Sequence, residues 1–158
     1  MTTAQVDPGT HIISRCQTDD AARIAAMLHR CSPDTRYRRF HGATSGVREV
    51  NGLLRSPACT SFVALCGDSC VGLATMCAVG GTADIGVVVE DAWQRRGIGT
   101  ALVRALVAAA HELHLTELTA DVLESSRFLL PVLARIGPMR AQAERGAYHV
   151  EISLGRAA

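Results

Sequence analysis

The run Val87-Val88-Val89-Glu90-Asp91-Ala92-Trp93-Gln94-Arg95-Arg96-Gly97-Ile98-Gly99-Thr100 passes from a β-rich apolar stretch through a short polar loop into a glycine-bearing helix start. A polyphosphate suits such a junction. Two glycines let a ligand approach the backbone closely, and the first helical turn offers N–H groups without intrahelical partners at the positive end of the dipole. Arg95 and Arg96 add full charges beside them, so the loop reads as a charge-assisted pyrophosphate cradle. Gly97-Ile98-Gly99 lacks the third glycine of a dinucleotide-binding fingerprint and the Gly-Lys-Ser/Thr ending of an ATP-binding loop.

Working outward, apolar residues at 83–89 form the strand that feeds the cradle, and a helix over 97–114 places Ile98, Leu102, Ala105, Leu106 and Ala109 on one stripe. Upstream, a short strand at 11–16 precedes a helix capped by Thr18, with Ile24, Met27, Leu28 and Cys31 on one face. Ser32 caps a second helical piece with Pro33 at its first position, and a third helix turns Val47, Val50, Leu53 and Leu54 inward. Residues 62–66 and 70–77 read as a hairpin around Gly67-Asp68-Ser69. Downstream, Leu118, Ala120 and Val122 alternate with polar residues as a strand. A helix over 126–136 contains Pro131, which requires either a bend there or a displaced first turn. Residues 139–145 and 147–154 form a last strand pair turning at Arg145-Gly146. The order of elements is that of a mixed α/β sheet.

At 158 residues the chain fits one domain, placed at 10–155, with a polar tail at 1–9 that reads as flexible. That tail has neither the basic nor the apolar segment of a secretory leader, and no apolar run is long enough to span a membrane, which points to the cytoplasm. A net charge of +1 gives no global attraction to nucleic acid, although Arg36, Arg38 and Arg39 form a local basic knot. Six cysteines in a chain with a normal core read as unbonded, and Cys66 and Cys70 as small apolar residues flanking a turn. No metal constellation stands out. His111 and His114 suit the C-terminal end of the long helix, and His41 stands next to the basic knot in the chain.

Gln94-Arg95-Arg96-Gly97-Ile98-Gly99 after a hydrophobic strand resembles the acetyl-coenzyme A motif of the GNAT N-acetyltransferases, and the order of elements is similar along nearly the whole chain. The resemblance implies an α/β GNAT fold: a mixed, mostly antiparallel sheet of about seven strands with flanking helices. It also implies that the strands before and after the cradle helix splay apart to admit pantetheine. By the same resemblance the backbone of Val87, Val88 and Val89 pairs with the pantetheine arm, and Arg95, Arg96, Gly97, Ile98, Gly99 and Thr100 hold the pyrophosphate. Trp93 is read as packing against the fold.

Acetyl transfer needs a neutral amine, and a lysine ammonium with a pKa of about 10.4 is almost wholly protonated near pH 7. Asp84, in the strand leading to the cradle where several protein-acetylating members carry a glutamate, is the candidate base, acting directly or through one water. Its rival reading is a strand-edge carboxylate in solvent or an arginine partner. Glu90 and Asp91 read as solvated loop carboxylates. Ser126 falls where many members carry an asparagine, and Leu133 where they carry the tyrosine that protonates the departing thiolate, so the usual general acid is missing. Ser125, Ser126 and water are substitutes among which nothing selects. Ser32-Pro33 with Tyr37, Arg39 and Phe40 resembles the N-terminal part of bacterial Pat-type protein lysine acetyltransferase domains. Acetyl-CoA is thus the implied co-substrate and a protein lysine the implied acceptor, with a small amine or antibiotic as one alternative and a non-catalytic CoA-binding module as another.

Overall fold

The computed structural model describes residues 11–155, so the tail at 1–9 lies outside the described residues. Strand β1 (Ile12–Arg15) is followed by helices α1 (Asp20–Arg30), α2 (Pro33–Phe40) and α3 (Val47–Arg55). Then come β2 (Cys59–Cys66), β3 (Ser69–Val79) and β4 (Thr82–Val89), a 3-10 turn at Asp91–Trp93, and helix α4 (Ile98–Glu112). Strand β5 (Glu117–Leu123), a second 3-10 turn at Glu124–Leu129, α5 (Leu130–Ala134), β6 (Met139–Glu144) and β7 (Ala147–Ser153) complete it. All seven strands form one sheet in the order β1-β2-β3-β4-β5-β7-β6, antiparallel except where β4 meets β5.

Each face of the sheet has its own core. Leu102, Leu106 and Ala109 of α4 cover Ala64, Ala74, Ile85, Leu118 and Val150 on one face, while Ile24, Met27, Leu28 and Val50 of α1 and α3 cover Val63, Leu73 and Val88 on the other. Strand β4 is therefore clamped between two apolar layers. At roughly 2 kcal/mol for each fully buried aliphatic side chain, those layers set the sheet on which the polar loops are hung.

Local signals act much as their chemistry dictates, with three differences. Ser32 accepts from the Thr35 N–H at 3.2 Å with Pro33 in the first turn, but Thr18 does not cap α1. The N-cap is Asp19 without a side-chain bond, and the buried Asp20 carboxylate instead accepts from the Gln17 N–H at 2.7 Å. The helix expected over 126–136 is shorter, and of the two readings of Pro131 the displaced first turn is the one adopted: the chain first makes the 3-10 turn, and Pro131 enters α5 in its first turn, where its missing N–H costs nothing.

The third difference concerns cysteine. Cys59 and Cys77 form a disulfide, contrary to the reading of all six as unbonded, while Cys16, Cys31, Cys66 and Cys70 are free. The cause is register. Leu65 faces Cys70 but Ala64 faces Gly72, which leaves Val71 as an extra bulged residue and brings Cys77, rather than Met76, opposite Cys59. Among the described residues no helix is long and apolar enough to cross a membrane.

Candidate active site

Strands β4 and β5 pair only at Thr82–Glu117, Ala83–Leu118 and Asp84–Thr119. Beyond Asp84 they part. Among the described residues, no strand pairs with that edge of β4 from Ile85 onward, so alternate backbone groups there face a groove of about 880 Å³. The groove runs from Arg95, Gly97, Gly99 and Thr100 at one end, past Val87, Val88 and Val89, to Asp84, Arg39, His41 and Glu49 at the other.

The cradle end is built by an uncapped helix. Gly97 takes φ 82° as N-cap of α4 and makes no side-chain capping bond, leaving the first-turn N–H groups of Ile98, Gly99 and Thr100 without a capping side chain. Arg95 is also left-handed at φ 62°, which turns the loop sharply before the helix begins. The Ile98 side chain is buried in the α4 core, so only its backbone can serve the loop. Arg96 is absent from the groove wall: its guanidinium stacks on the Trp93 ring at 5.0 Å, and Trp93 packs partly against the core while also lining the groove.

Three side chains that the sequence left as solvated or unassigned hold this loop in place. The Gln94 amide donates to the Val89 carbonyl at 3.0 Å and to the Thr35 hydroxyl at 3.2 Å, tying the loop to β4 and to α2. Asp91 is not an idle carboxylate, since it accepts from the Ser32 N–H at 2.8 Å, the Ser32 hydroxyl at 2.7 Å and the Thr35 hydroxyl at 3.0 Å. Desolvation raises its pKa, but these bonds outweigh that and hold it below the ordinary carboxylate value. Glu90, only 8% exposed, receives Arg30 through Nε at 2.8 Å and Nη2 at 3.2 Å, while the same Nη2 donates to the Cys70 carbonyl. Both corrections have one cause: α1 and α2 fold back over the end of β4, a tertiary contact that a loop sequence does not display.

At the opposite end Asp84 occupies the last paired position, and its Oδ1 accepts from the Thr119 hydroxyl at 3.0 Å. The residue is water-accessible, yet desolvation of its carboxyl raises the pKa above the ordinary value, with the Thr119 bond opposing. Asp121 raises it further, whereas Arg39 and His149 pull the other way. A neighbouring pair, His149 Nδ1 and Asp121 Oδ1 at 2.9 Å, stands at the next register position on the same sheet face.

Ser126 and Leu133 close the third side. Ser126 is 3% exposed, lines the groove, and its hydroxyl has no hydrogen-bond partner among the described residues, an unsatisfied group of the kind that a ligand can complete. Leu133 is buried in the α4 core and presents only carbon to the groove. Arg38 reaches the Phe128 ring at 5.9 Å, so α2 and the second 3-10 turn meet over the mouth. Of the basic knot, Arg36 is used structurally, donating to the Leu28 and Cys31 carbonyls.

The parted parallel strand pair and the uncapped glycine-led helix beside it thus form one open slot. Residues 21–137 match the acetyltransferase (GNAT) family, and the chain belongs to that family. Among solved structures, the GNAT domain of S. lividans PAT is similar at a TM-score of 0.80 and 20% identity, covering 90% of this chain and 89% of that one. The ribosomal-protein-S18-alanine N-acetyltransferase from Escherichia coli is similar at 0.74 and 15%, covering 94% and 97%. PaiA N-acetyltransferase from Thermoplasma acidophilum, solved in complex with coenzyme A, is similar at 0.72 and 12%, covering 91% and 99%. No curated protein matches the chain. These likenesses carry the fold, while the site is argued from its own residues.

Proposed function

We propose that this protein is an N-acetyltransferase that passes an acetyl group from acetyl-CoA directly to a primary amine in a ternary complex, with a protein lysine as the acceptor. The observation that carries this reading is the parting of β4 and β5 immediately after Asp84, which sets a carboxylate at one end of a backbone-lined slot and an uncapped helix at the other.

Acetyl-CoA supplies an activated thioester. The residues present fit it: the N–H groups of Ile98, Gly99 and Thr100 with Arg95 and Gly97 suit the pyrophosphate, and Arg96 adds charge from its place on Trp93. The unpaired edge of Val87 and Val88 suits a pantetheine arm added as a strand; at Val89 the carbonyl is already taken by Gln94. The orphaned Ser126 hydroxyl offers the arm one further bond. Asp84 takes the ammonium proton directly or through one water, and its raised pKa makes it a stronger base than an ordinary aspartate. Leu133 donates no proton, and since a thiol of pKa about 8.5 departs tolerably as thiolate, its presence slows transfer without forbidding it.

The protein acceptor is supported by the rim. Phe128 is 59% exposed, and Leu129 and Val132, which line the groove with it, are also exposed, so apolar surface flanks the mouth where a partner chain would rest. The E. coli neighbour is named for an alanine amine on a ribosomal protein, which agrees with a protein-sized acceptor.

Titration of the protein with acetyl-CoA by calorimetry, followed by coenzyme A release with lysine peptides and small amines, tests the reading. Micromolar binding with turnover on peptides is the expected result. Binding without turnover on any amine would instead identify a CoA-binding module, and preference for a small amine would move the acceptor class.

A further inference from the structure

Arg39 lines the groove, and the reaction just described does not use it. Its guanidinium lies against Gly86 of β4 so closely that a Cβ there would come within 2.6 Å of Nε. It stacks on the adjacent Phe40 ring at 5.0 Å. Among the described residues three carboxylates line the same groove, Glu49, Asp84 and Asp121, and none of them forms an ion pair or hydrogen bond with Arg39. Glu49 is engaged by the Thr44 hydroxyl, Asp84 by Thr119 and Asp121 by His149. A desolvated guanidinium that no ion pair compensates is unfavourable, and burial lowers the Arg39 pKa, with the charge of Asp84 only opposing in part. Gly86 and Asp84 stand two residues apart on one strand face, roughly 7 Å along β4. A molecule whose amine meets Asp84 therefore places its next few atoms beside the guanidinium fork.

We propose that Arg39, seated on Gly86, is a specificity residue that binds a carboxylate carried by the acceptor a few atoms from its reacting amine. The proposal rests on the acetyl-transfer reading above and narrows its substrate. The carboxylate has two possible sources, an acidic residue beside the acceptor lysine or the own carboxylate of a free amino acid. Gly86 is part of the device, because any side chain there would displace the guanidinium.

The test compares acceptors in pairs that differ only in the anion: 5-aminopentanoate against pentylamine, and acetyl-Glu-Lys-Gly-amide against acetyl-Gln-Lys-Gly-amide. The ratio of kcat/KM within each pair is read for wild type, Arg39→Met and Gly86→Ala. A ratio within one protein does not depend on how much of it is folded. In parallel, calorimetry on coenzyme A-loaded protein reads the binding of 5-aminopentanoate and of pentylamine. The expected result is a preference of at least tenfold for the anionic member of one pair in wild type, falling to within about twofold in both variants. The pair that shows it identifies the source. Ratios near one in wild type, or a preference that survives in both variants, would overturn the role of Arg39 while leaving acetyl transfer standing. If no amine turns over, the transfer reading fails, and the binding arm still decides whether Arg39 selects a carboxylate.

Discussion

The Thr119 hydroxyl donates to the Asp84 carboxylate at 3.0 Å, at the last position through which β4 and β5 remain paired. Sheet pairing and candidate chemistry thus end on the same residue pair. Desolvation pushes the Asp84 pKa up and Thr119 holds it down. A base acts deprotonated, so activity falls as pH drops through that pKa. Thr119→Val removes the opposing bond, and the acidic limb of kcat/KM against pH is expected to move to higher pH. An unmoved limb would mean that Asp84 does not set it.

Asp84 also has a sign in stability. A carboxyl whose folded pKa is raised favours folding below its unfolded pKa, and that contribution is lost as pH rises through the folded value. Asp84→Asn should therefore raise the melting temperature at pH 7, and the advantage should shrink as the pH is lowered toward 3.8 and below. Chemical or thermal unfolding of both proteins across pH checks this.

Asp91 behaves oppositely. Its folded pKa is lowered, so its contribution is present above the unfolded value and lost as pH falls through the folded one. Asp91→Asn is expected to cost about 1 kcal/mol at neutral pH through its bonds to Ser32 and Thr35, with the deficit closing below pH 3.8. Because those bonds hold the cradle loop to α2, acetyl-CoA affinity should fall as well.

Removing Arg30 leaves Glu90 buried without its partner. Since the Arg30 side chain is 41% exposed, water softens the loss, and Arg30→Met should destabilise by about 2 kcal/mol in urea unfolding. Glu90→Gln, which keeps an acceptor, should cost less.

The Cys59–Cys77 bond is tested by counting thiols. Denatured, unreduced protein should react at four cysteines and reduced protein at six. In the native state labelling of Cys70 and Cys31 should be slow, because burial pushes Cys70 up to about 12 and Cys31 to about 11. Reduction should lower stability by about 3 kcal/mol, as expected for a bridge across an 18-residue separation.

What was legible in the sequence were features written locally. The period of two in β5, the Arg145-Gly146 turn, the Ser32-Pro33 start of α2 and the strand-loop-glycine junction each need only near neighbours. What escaped depends on contacts between distant segments. The bulge at Val71 shifts one register step and so pairs Cys59 with Cys77, an insertion that no alternation pattern reveals. Glu90 and Asp91 acquire partners only when residues some 60 positions upstream fold over them. The place of Arg39 could be suspected only from a glycine, Gly86, inside an otherwise side-chain-bearing strand, which marks a close approach.

The most direct measurement is coenzyme A release from acetyl-CoA with the best peptide acceptor, for wild type and Asp84→Asn, as a function of pH and with coenzyme binding measured alongside. With Asp84 as the base, turnover falls at least tenfold in Asp84→Asn with binding intact, and the acidic limb that wild type shows is lost. Equal turnover in the two proteins, or an acidic limb that persists in Asp84→Asn, would contradict Asp84 as the base.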